Sequence, residues 1–518
     1  MTEIVLPLSR PERVRRIMQT ERYRWGLASV LLAMLAAVRA AVPTERDHYW
    51  SAQAGLEVLN GTPLARSDTW SWSAEGMWYP NSPAWNVVLG LGWQSLGFWG
   101  LFLVAFLSMS ALFGVALLGA RLAGARALPT LLVFIPILLG ASASLSARAT
   151  VVVQAFVLAA AIFAWWWGGI ANRLNSVAAI AVVGAVGFGV SFAGNWVHLS
   201  FMLMAAAIAV MWAVAWWLSP GLNALRRIAL TLAGTTGLFL GCILSPYGVE
   251  LTLERSRVVS EICQGIIIEW TSVFRAAEFG DFRWIPVAVV AACIALGSGM
   301  WAFRSLRRHG RSDARIRLLV PLAIFAVPMT LIGFGALRFL GIGMLAILPV
   351  AAAATTALVD VVHERQGAGG ILARPKLVEY ASGRFWVTVM TGIAIVLAPL
   401  AAFGASKGSK TPEAVLGELL PRDCSLFSDA GAAGPVILTR PDVKVWIDGR
   451  ADFYGRQHLI ESVRIFSAID PVPEEADCVL LPLWDGLGHV IPLALSLDRD
   501  PVWDRIATLD GYALWVRP

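Results

Sequence analysis

The sequence predicts an α-helical polytopic membrane protein, with about eleven transmembrane helices and a small extracytoplasmic α/β domain at its C-terminal end. Three observations predict it. The chain of 518 residues is 57% apolar and only 15% charged, against about 25% charged in an ordinary soluble domain, and its mean hydropathy is +0.67. A soluble chain of that length would divide into several cores and need far more charge to coat them. A conventional soluble enzyme, a fibrous protein and a disordered chain are therefore excluded. Long apolar runs alternate with loops, and no series of short alternating strands occurs, which excludes an outer-membrane barrel. The charge also changes sign along the chain. Residues 405–518 hold 17 of the 35 acids and 11 of the 41 bases, a net −6, whereas residues 1–404 carry +12. Basic loops suit the anionic surface of a membrane. No basic stripe with interleaved aromatics marks a nucleic-acid face, so no nucleic acid is expected as a partner.

A membrane-crossing helix needs about 20 apolar residues. In chain order the runs 25–42, 98–118, 128–145, 150–168, 176–193, 199–218, 228–245, 284–303, 318–336, 340–362 and 385–404 meet that need. The first has an arginine-rich front and small residues near Ala40, the form of a signal peptide. It reads as a retained span, because cleavage would leave the informative charged stretch after it at a raw N-terminus. Residues 84–97 are apolar but too short to cross, and are expected to lie at the interface and lead into the second span. With the N-terminus in the cytoplasm, the inside segments carry 21 Lys and Arg and the outside loops between spans carry 8, the bias that membrane insertion imposes. An odd number of spans then puts the C-terminal part outside. Residues 1–404 thus form the membrane domain, with a long first outside loop at 43–97, and residues 405–518 form the outside domain.

The segment 406–412 reads as a linker. Beyond it, strands are expected at 424–428, 436–438, 443–447, 478–483 and 512–516, with a helix at 457–469. Cys424 and Cys478 fall near strand starts, where a disulfide is allowed by compartment but not required. Cys242 and Cys293 sit in spans as packing residues.

Most of the informative polar residues lie in outside loops. The first loop is long for a connector. It opens with Glu45-Arg46-Asp47-His48-Tyr49-Trp50 directly after the first span. An acid pair at i and i+2 on an extended segment points one way, at the level where a lipid headgroup lies. Asp68 follows within Ser67-Asp68-Thr69, a sequence that can also simply start a turn. Arg148 and Arg338 are each the only base in a very short outside loop. Outside arginines run against the charge bias, so each needs a reason. One is phosphate binding, for which a guanidinium is bidentate and keeps its charge when half-buried; the other is snorkelling to headgroups. Asn195 and His198 lie in the third outside turn, where ligand binding competes with capping and interhelix hydrogen bonds. In the tail, Asp448-Gly449-Arg450 follows a strand; Gly449 suits a tight bend with positive φ, and Arg450 and Asp452 can pair. The 23 tryptophans, Trp72 among them, divide between an interfacial belt, loop packing and stacking on sugar rings.

An acidic E-x-D or D-x-D motif in the first outside loop resembles the GT-C superfamily of polytopic glycosyltransferases, whose donor is a polyprenyl-phosphate sugar. A closer resemblance is to an uncharacterised bacterial family of GT-C-like membrane proteins. Asp47-His48-Tyr49-Trp50, Asp68, Ser71-Trp72, Trp78 and Trp85 carry it in the first loop. Ala147-Arg148, Asn195-Trp196-Val197-His198, Ser245-Pro246-Tyr247-Gly248, Glu269-Trp270, Arg338-Phe339 and the tail segment 447–455 continue it over nearly the whole chain. The resemblance implies a GT-C-like fold in a bacterial plasma membrane. It implies transfer of a sugar from a polyprenyl-phosphate donor to a glycan, lipid or protein acceptor at the outer face.

The residues make chemical sense of that implication. A polyprenyl phosphate is already a good leaving group, so transfer needs one carboxylate as base for the acceptor hydroxyl and cationic donors for the departing phosphate. Asp47 is the expected base, Glu45 its orienting partner and Asp68 its rival; Arg148 and Arg338 are expected on the donor phosphate. Asn195, His198, Tyr247, Glu269 and Trp72 are expected on the acceptor or the sugar. The Glu45–Asp47 pair can also hold a divalent cation such as Mg²⁺, but the spacing is no specific metal motif and no metal is assigned. Two other readings compete. A lipid or solute transporter usually carries ionisable groups in mid-span and internal repeats, whereas these spans are almost free of acids and no repeat is found. A non-catalytic scaffold with a partner-binding outside domain needs no acid pair in the first loop.

Overall fold

The structure, a computed structural model, describes residues 20–41, 46–264, 266–278, 280–366, 392–393, 395–404, 410–485 and 488–518. The first part runs α1 (Glu21–Ala41), α2 (Asp47–Leu59), β1 (Arg66–Ser67), β2 (Met77–Trp78), α3 (Pro83–Leu96), α4 (Phe98–Leu122) and α5 (Ala127–Ala141). It continues with α6 (Ala149–Ile170), α7 (Ser176–Val197), α8 (Phe201–Trp217), α9 (Ala224–Ile243), α10 (Gly248–Cys263), α11 (Val273–Glu278), α12 (Trp284–His309), α13 (Ile316–Ile332) and α14 (Leu337–Gln366). Among the described residues six helices, α1, α4, α6, α7, α12 and α14, are long and apolar enough to cross a membrane. A seventh span results if α9 and α10, bent by 81° at their break, are counted together. Helices α5, α8 and α13 are apolar but shorter. Of the last expected run, 385–404, the helix α15 (Ile395–Gly404) falls within the described residues and the start does not.

One local expectation changes here. Asp47 is not in an extended segment: it is the first residue of α2, where the helix dipole favours a carboxylate. Ala, Leu, Gln and Glu, all good helix formers, fill the turns that follow. Helix α2 lies against α3, the short apolar stretch before the second span. A Cβ on Gly55 would sit 1.9 Å from the Asn86 carbonyl oxygen, so the two backbones touch and only glycine fits.

The tail holds α16 (Pro412–Gly417), β3 (Ser425–Ser428), α17 (Ala430–Thr439), β4 (Lys444–Val445), α18 (Ala451–Phe466), β5 (Cys478–Pro482), α19 (Pro492–Leu497), β6 (Asp504–Leu509) and β7 (Tyr512–Val516). The sheet order is β4-β3-β5-β7-β6, with β3 parallel to both β4 and β5, and β7 antiparallel to β5 and β6. Cys424, the residue before β3, and Cys478, the first residue of β5, form a disulfide. The strand expected at 436–438 is helical instead. Asp429 caps α17, its carboxylate accepting from the Gly431 and Ala432 N–H groups, and this Ala- and Gly-rich segment becomes a helix buried from Ala432 to Leu438. Strand β6 was not expected, because its side chains lie at an exposed sheet edge and carry no apolar alternation.

The first loop and the tail are interleaved. Val445 N–H donates to the Trp70 carbonyl at 2.8 Å and Trp72 N–H donates to the Val445 carbonyl at 3.2 Å, so the loop continues the sheet beyond β4. Buried Trp50, Trp70 and Trp78 share a core with Leu426, Val445 and Leu480 of the tail.

Candidate active site

Four chain segments bring charge together. Asp47 opens α2, Arg148 is the residue before α6, Glu269 sits in a single 3-10 turn (Ile268–Trp270), and Arg338 lies in the first turn of α14. The Arg148 guanidinium spans two acids: one nitrogen donates to Asp47 Oδ2 at 2.8 Å and another to Glu269 Oε2 at 2.6 Å. Asp47 Oδ1 accepts from Trp50 Nε1 at 3.2 Å. Arg338 stacks over the Trp270 ring at 4.0 Å. Burial would push the Glu269 carboxyl up, but Arg148 and Arg338 together outweigh it and hold it below the usual range.

All four groups line one cavity of about 460 Å³, together with His198, Arg255 and Asp452. Away from these charges its wall is apolar, built by Val153, Val157 and Leu158 of α6, Leu203 of α8, Phe325 of α13 and Ile342 of α14. Gln154, 5% exposed, is the polar interruption there, with no hydrogen-bond partner for its amide. The cavity is thus charged at one end and apolar along helices α6, α8, α13 and α14.

The tail closes the charged end. Ala430, Asp448, Gly449, Ala451 and Asp452 line the cavity. Gly449 does not take a positive φ. It is needed for a different reason: a Cβ there would lie 2.4 Å from Asp47 Oδ1 and 2.5 Å from Trp50 Nε1. Nor does Arg450 pair with Asp452. It is 1% exposed and grips Asp448 through Nε and Nη2 at 2.7–3.0 Å, and its Nη1 pairs with Asp68. Tyr454 Oη also donates to Asp448, at 2.9 Å. Trp70, Trp78 and Phe453 stack on the guanidinium at 4.4–4.8 Å. Burial pushes the Asp452 carboxyl up, against the pull of Arg255 and Arg450.

The remaining expected residues lie elsewhere. Asp68 is buried in the Arg450 junction and accepts from Ser71 N–H at 2.8 Å. Asn195 is wholly buried and donates to the Ser191 carbonyl at 2.7 Å. Tyr247 Oη donates to the Pro80 carbonyl at 3.0 Å, and its ring meets Tyr79, a cavity residue, edge-on. Trp72 Nε1 donates to the Leu426 carbonyl at 3.1 Å, inside the tail. None of these four lines the cavity. Glu45 lies outside the described residues. Among the described residues no group of three His, Cys, Asp or Glu converges as a metal-ligand set. Sequence reasoning passed over Gly449 as a wall and Trp270 as a cation–π partner; the adjacency of Glu269-Trp270 was visible, but the fold supplies the contact.

No protein-family model and no curated protein matches the chain. Among solved structures it is similar to the Archaeoglobus fulgidus oligosaccharyltransferase tethered with an acceptor peptide containing the NVT sequon. The TM-score is 0.35 and the identity 12%, over 89% of this chain and 69% of that one. The apo form of the same enzyme gives a TM-score of 0.35 and 12% identity, over 89% and 70%.

Proposed function

We propose that the chain is a membrane glycosyltransferase that moves a sugar from a polyprenyl-phosphate donor to an acceptor hydroxyl at the outer face of a bacterial plasma membrane. The acceptor is a glycan, a lipid or a protein. The observation that carries this reading is the single cavity with Asp47, Arg148, Glu269 and Arg338 at one end and apolar membrane helices along the rest. A lipid phosphate has the same division. Its isoprenoid tail is matched by the apolar wall and its phosphate by guanidiniums. The reaction needs no second acid. Asp47 takes the proton of the acceptor hydroxyl, the oxygen attacks the anomeric carbon, and the bond from that carbon to the phosphate oxygen breaks. The polyprenyl phosphate leaves with its charge held by Arg148 and Arg338. Arg148 lies between Asp47 and Glu269. An arriving phosphate competes for that fork and loosens Asp47 as it docks.

The test is transfer from a panel of radiolabelled polyprenyl-phosphate sugars in membranes with and without the chain. Label appearing in product only with the chain supports the reading; no transfer from any donor sinks it. The same reading keeps the eleven-span, N-terminus-inside arrangement, with the division at 404/405 and the tail outside.

A further inference from the structure

We infer that His198 is a further catalytic residue: its Nε2–H donates a hydrogen bond to the donor's phosphate, as a neutral imidazole beside the two guanidiniums. The inference rests on the donor reading above and adds a role to it. The proton's position follows from geometry. Ser200 backbone N–H points at His198 Nδ1 at 3.1 Å, and a backbone N–H can only donate. Nδ1 must therefore present a lone pair, and the ring proton of the neutral form sits on Nε2. Ser200 Oγ lies 2.7 Å from the same nitrogen and donates to it as well. The backbone that carries the ring is fixed too, since the His198 backbone N–H donates to the Gly194 carbonyl at 2.9 Å at the end of α7. His198 and Ser200 both line the cavity, so Nε2–H is the end of the ring left for a ligand.

Neutrality is built in by the neighbours. Burial, then Arg338 and Arg148, push the imidazole down to about 3, against the pull of Glu269. The other charged groups around the cavity are Asp47 on α2, Arg255 on α10, Asp448 before α18, which is held by Arg450, and Asp452 on α18; α8 contributes only apolar residues, Leu203 and Met204. The arginines supply charge, and the histidine supplies a directed donor that does not titrate across the working range. The sequence left this histidine between helix cap and ligand. In the fold Nδ1 fills the first role and Nε2 is free for the second.

The probe is the methyl diester of a polyprenyl phosphate, whose phosphate does not titrate between pH 5.5 and 8. Binding to the full detergent-solubilised chain is followed by tryptophan fluorescence. His198→Ala is expected to weaken binding about 10- to 100-fold, the range for a lost hydrogen bond to a charged group. His198→Gln offers an amide N–H near the same place and is expected to recover most of that loss. Wild-type affinity is expected to be flat across the range. Full affinity in His198→Ala overturns the role of His198 and leaves the donor reading standing. Tighter wild-type binding below pH 6.5, absent in His198→Gln, overturns the neutral donor. No binding by the wild-type chain overturns the donor reading, and this inference with it.

Discussion

Asp47 is held at three points: by Arg148, by Trp50 Nε1 and by the backbone of Gly449 packed against it. Asp47→Asn keeps the size and loses the basicity. Transfer is expected to fall by about 10²- to 10⁴-fold, with thermal unfolding of the purified chain little changed. Asp68→Asn should instead act on stability, since Asp68 faces the buried Arg450 and not the cavity. The reverse ranking in a paired assay would move the base to Asp68. Arg148→Lys and Arg338→Lys keep a charge but lose the planar fork, and each should weaken donor binding on the order of tenfold or more, measurable as a rise in KM. Glu269 adds a pH dependence. Its carboxyl is held below the ordinary value of 4.5, so the stability it contributes is fully present above that pH and is lost as pH falls through the depressed value. Glu269→Gln should flatten that part of an acid-unfolding curve.

Among the elements, the turn between β4 and α18 and the start of α2 form one unit. Gly449 sits where a methyl group would strike Asp47 and Trp50. Gly449→Ala is expected to displace the Asp47 carboxylate by a fraction of an ångström to about 1 Å, enough for roughly a 10²-fold loss of transfer. The tail should stay folded, as protease resistance of the fragment beyond Thr411 would report. Unchanged transfer in that variant would detach the tail from the site. Arg450 carries the other half of the junction. Removing it leaves Asp68 and Asp448 as uncompensated buried charges. Arg450→Met should therefore destabilise the docked tail by about 3–5 kcal/mol, seen as a lower first unfolding transition and new cleavage between the first loop and β4.

At the scale of the whole molecule, the first loop and the tail form one cap over a cavity whose floor is made by membrane helices. The proposed orientation puts that cap outside and residue 308 inside. Single cysteines at Asp510 and Arg308, in a background free of Cys293, should label from opposite sides of the membrane; labelling from one side would overturn the span count and the orientation together. The interleaving also makes the two parts interdependent. Strand β4 is completed by residues 70–72 of the first loop, so a tail expressed alone should lack that edge.

The helical membrane class was legible because it depends on run length and composition, which are local properties of a chain. The oddity of Arg148 and Arg338 was legible for a similar reason: a lone cation in a short loop between apolar runs needs a partner, wherever the fold brings one. The tail's parallel strands at Ser425–Ser428 and Cys478–Pro482 announced themselves as short buried apolar runs. Other features were decided only by tertiary structure. Whether 436–438 is strand or helix depended on the cap at Asp429, since three apolar residues fit either period. Strand β6 forms because β7 offers its edge, not because its own pattern demands it. Which acid faces the cavity turned on a contact between residues 68 and 450, far apart in the chain. The need for glycine at 449 came from Asp47 lying against it and not from its own φ. The common reason is physical. Hydrophobic run length and caps act within a few residues, whereas the pairing of charges and the close approach of backbones depend on which distant segments the packed core sets side by side.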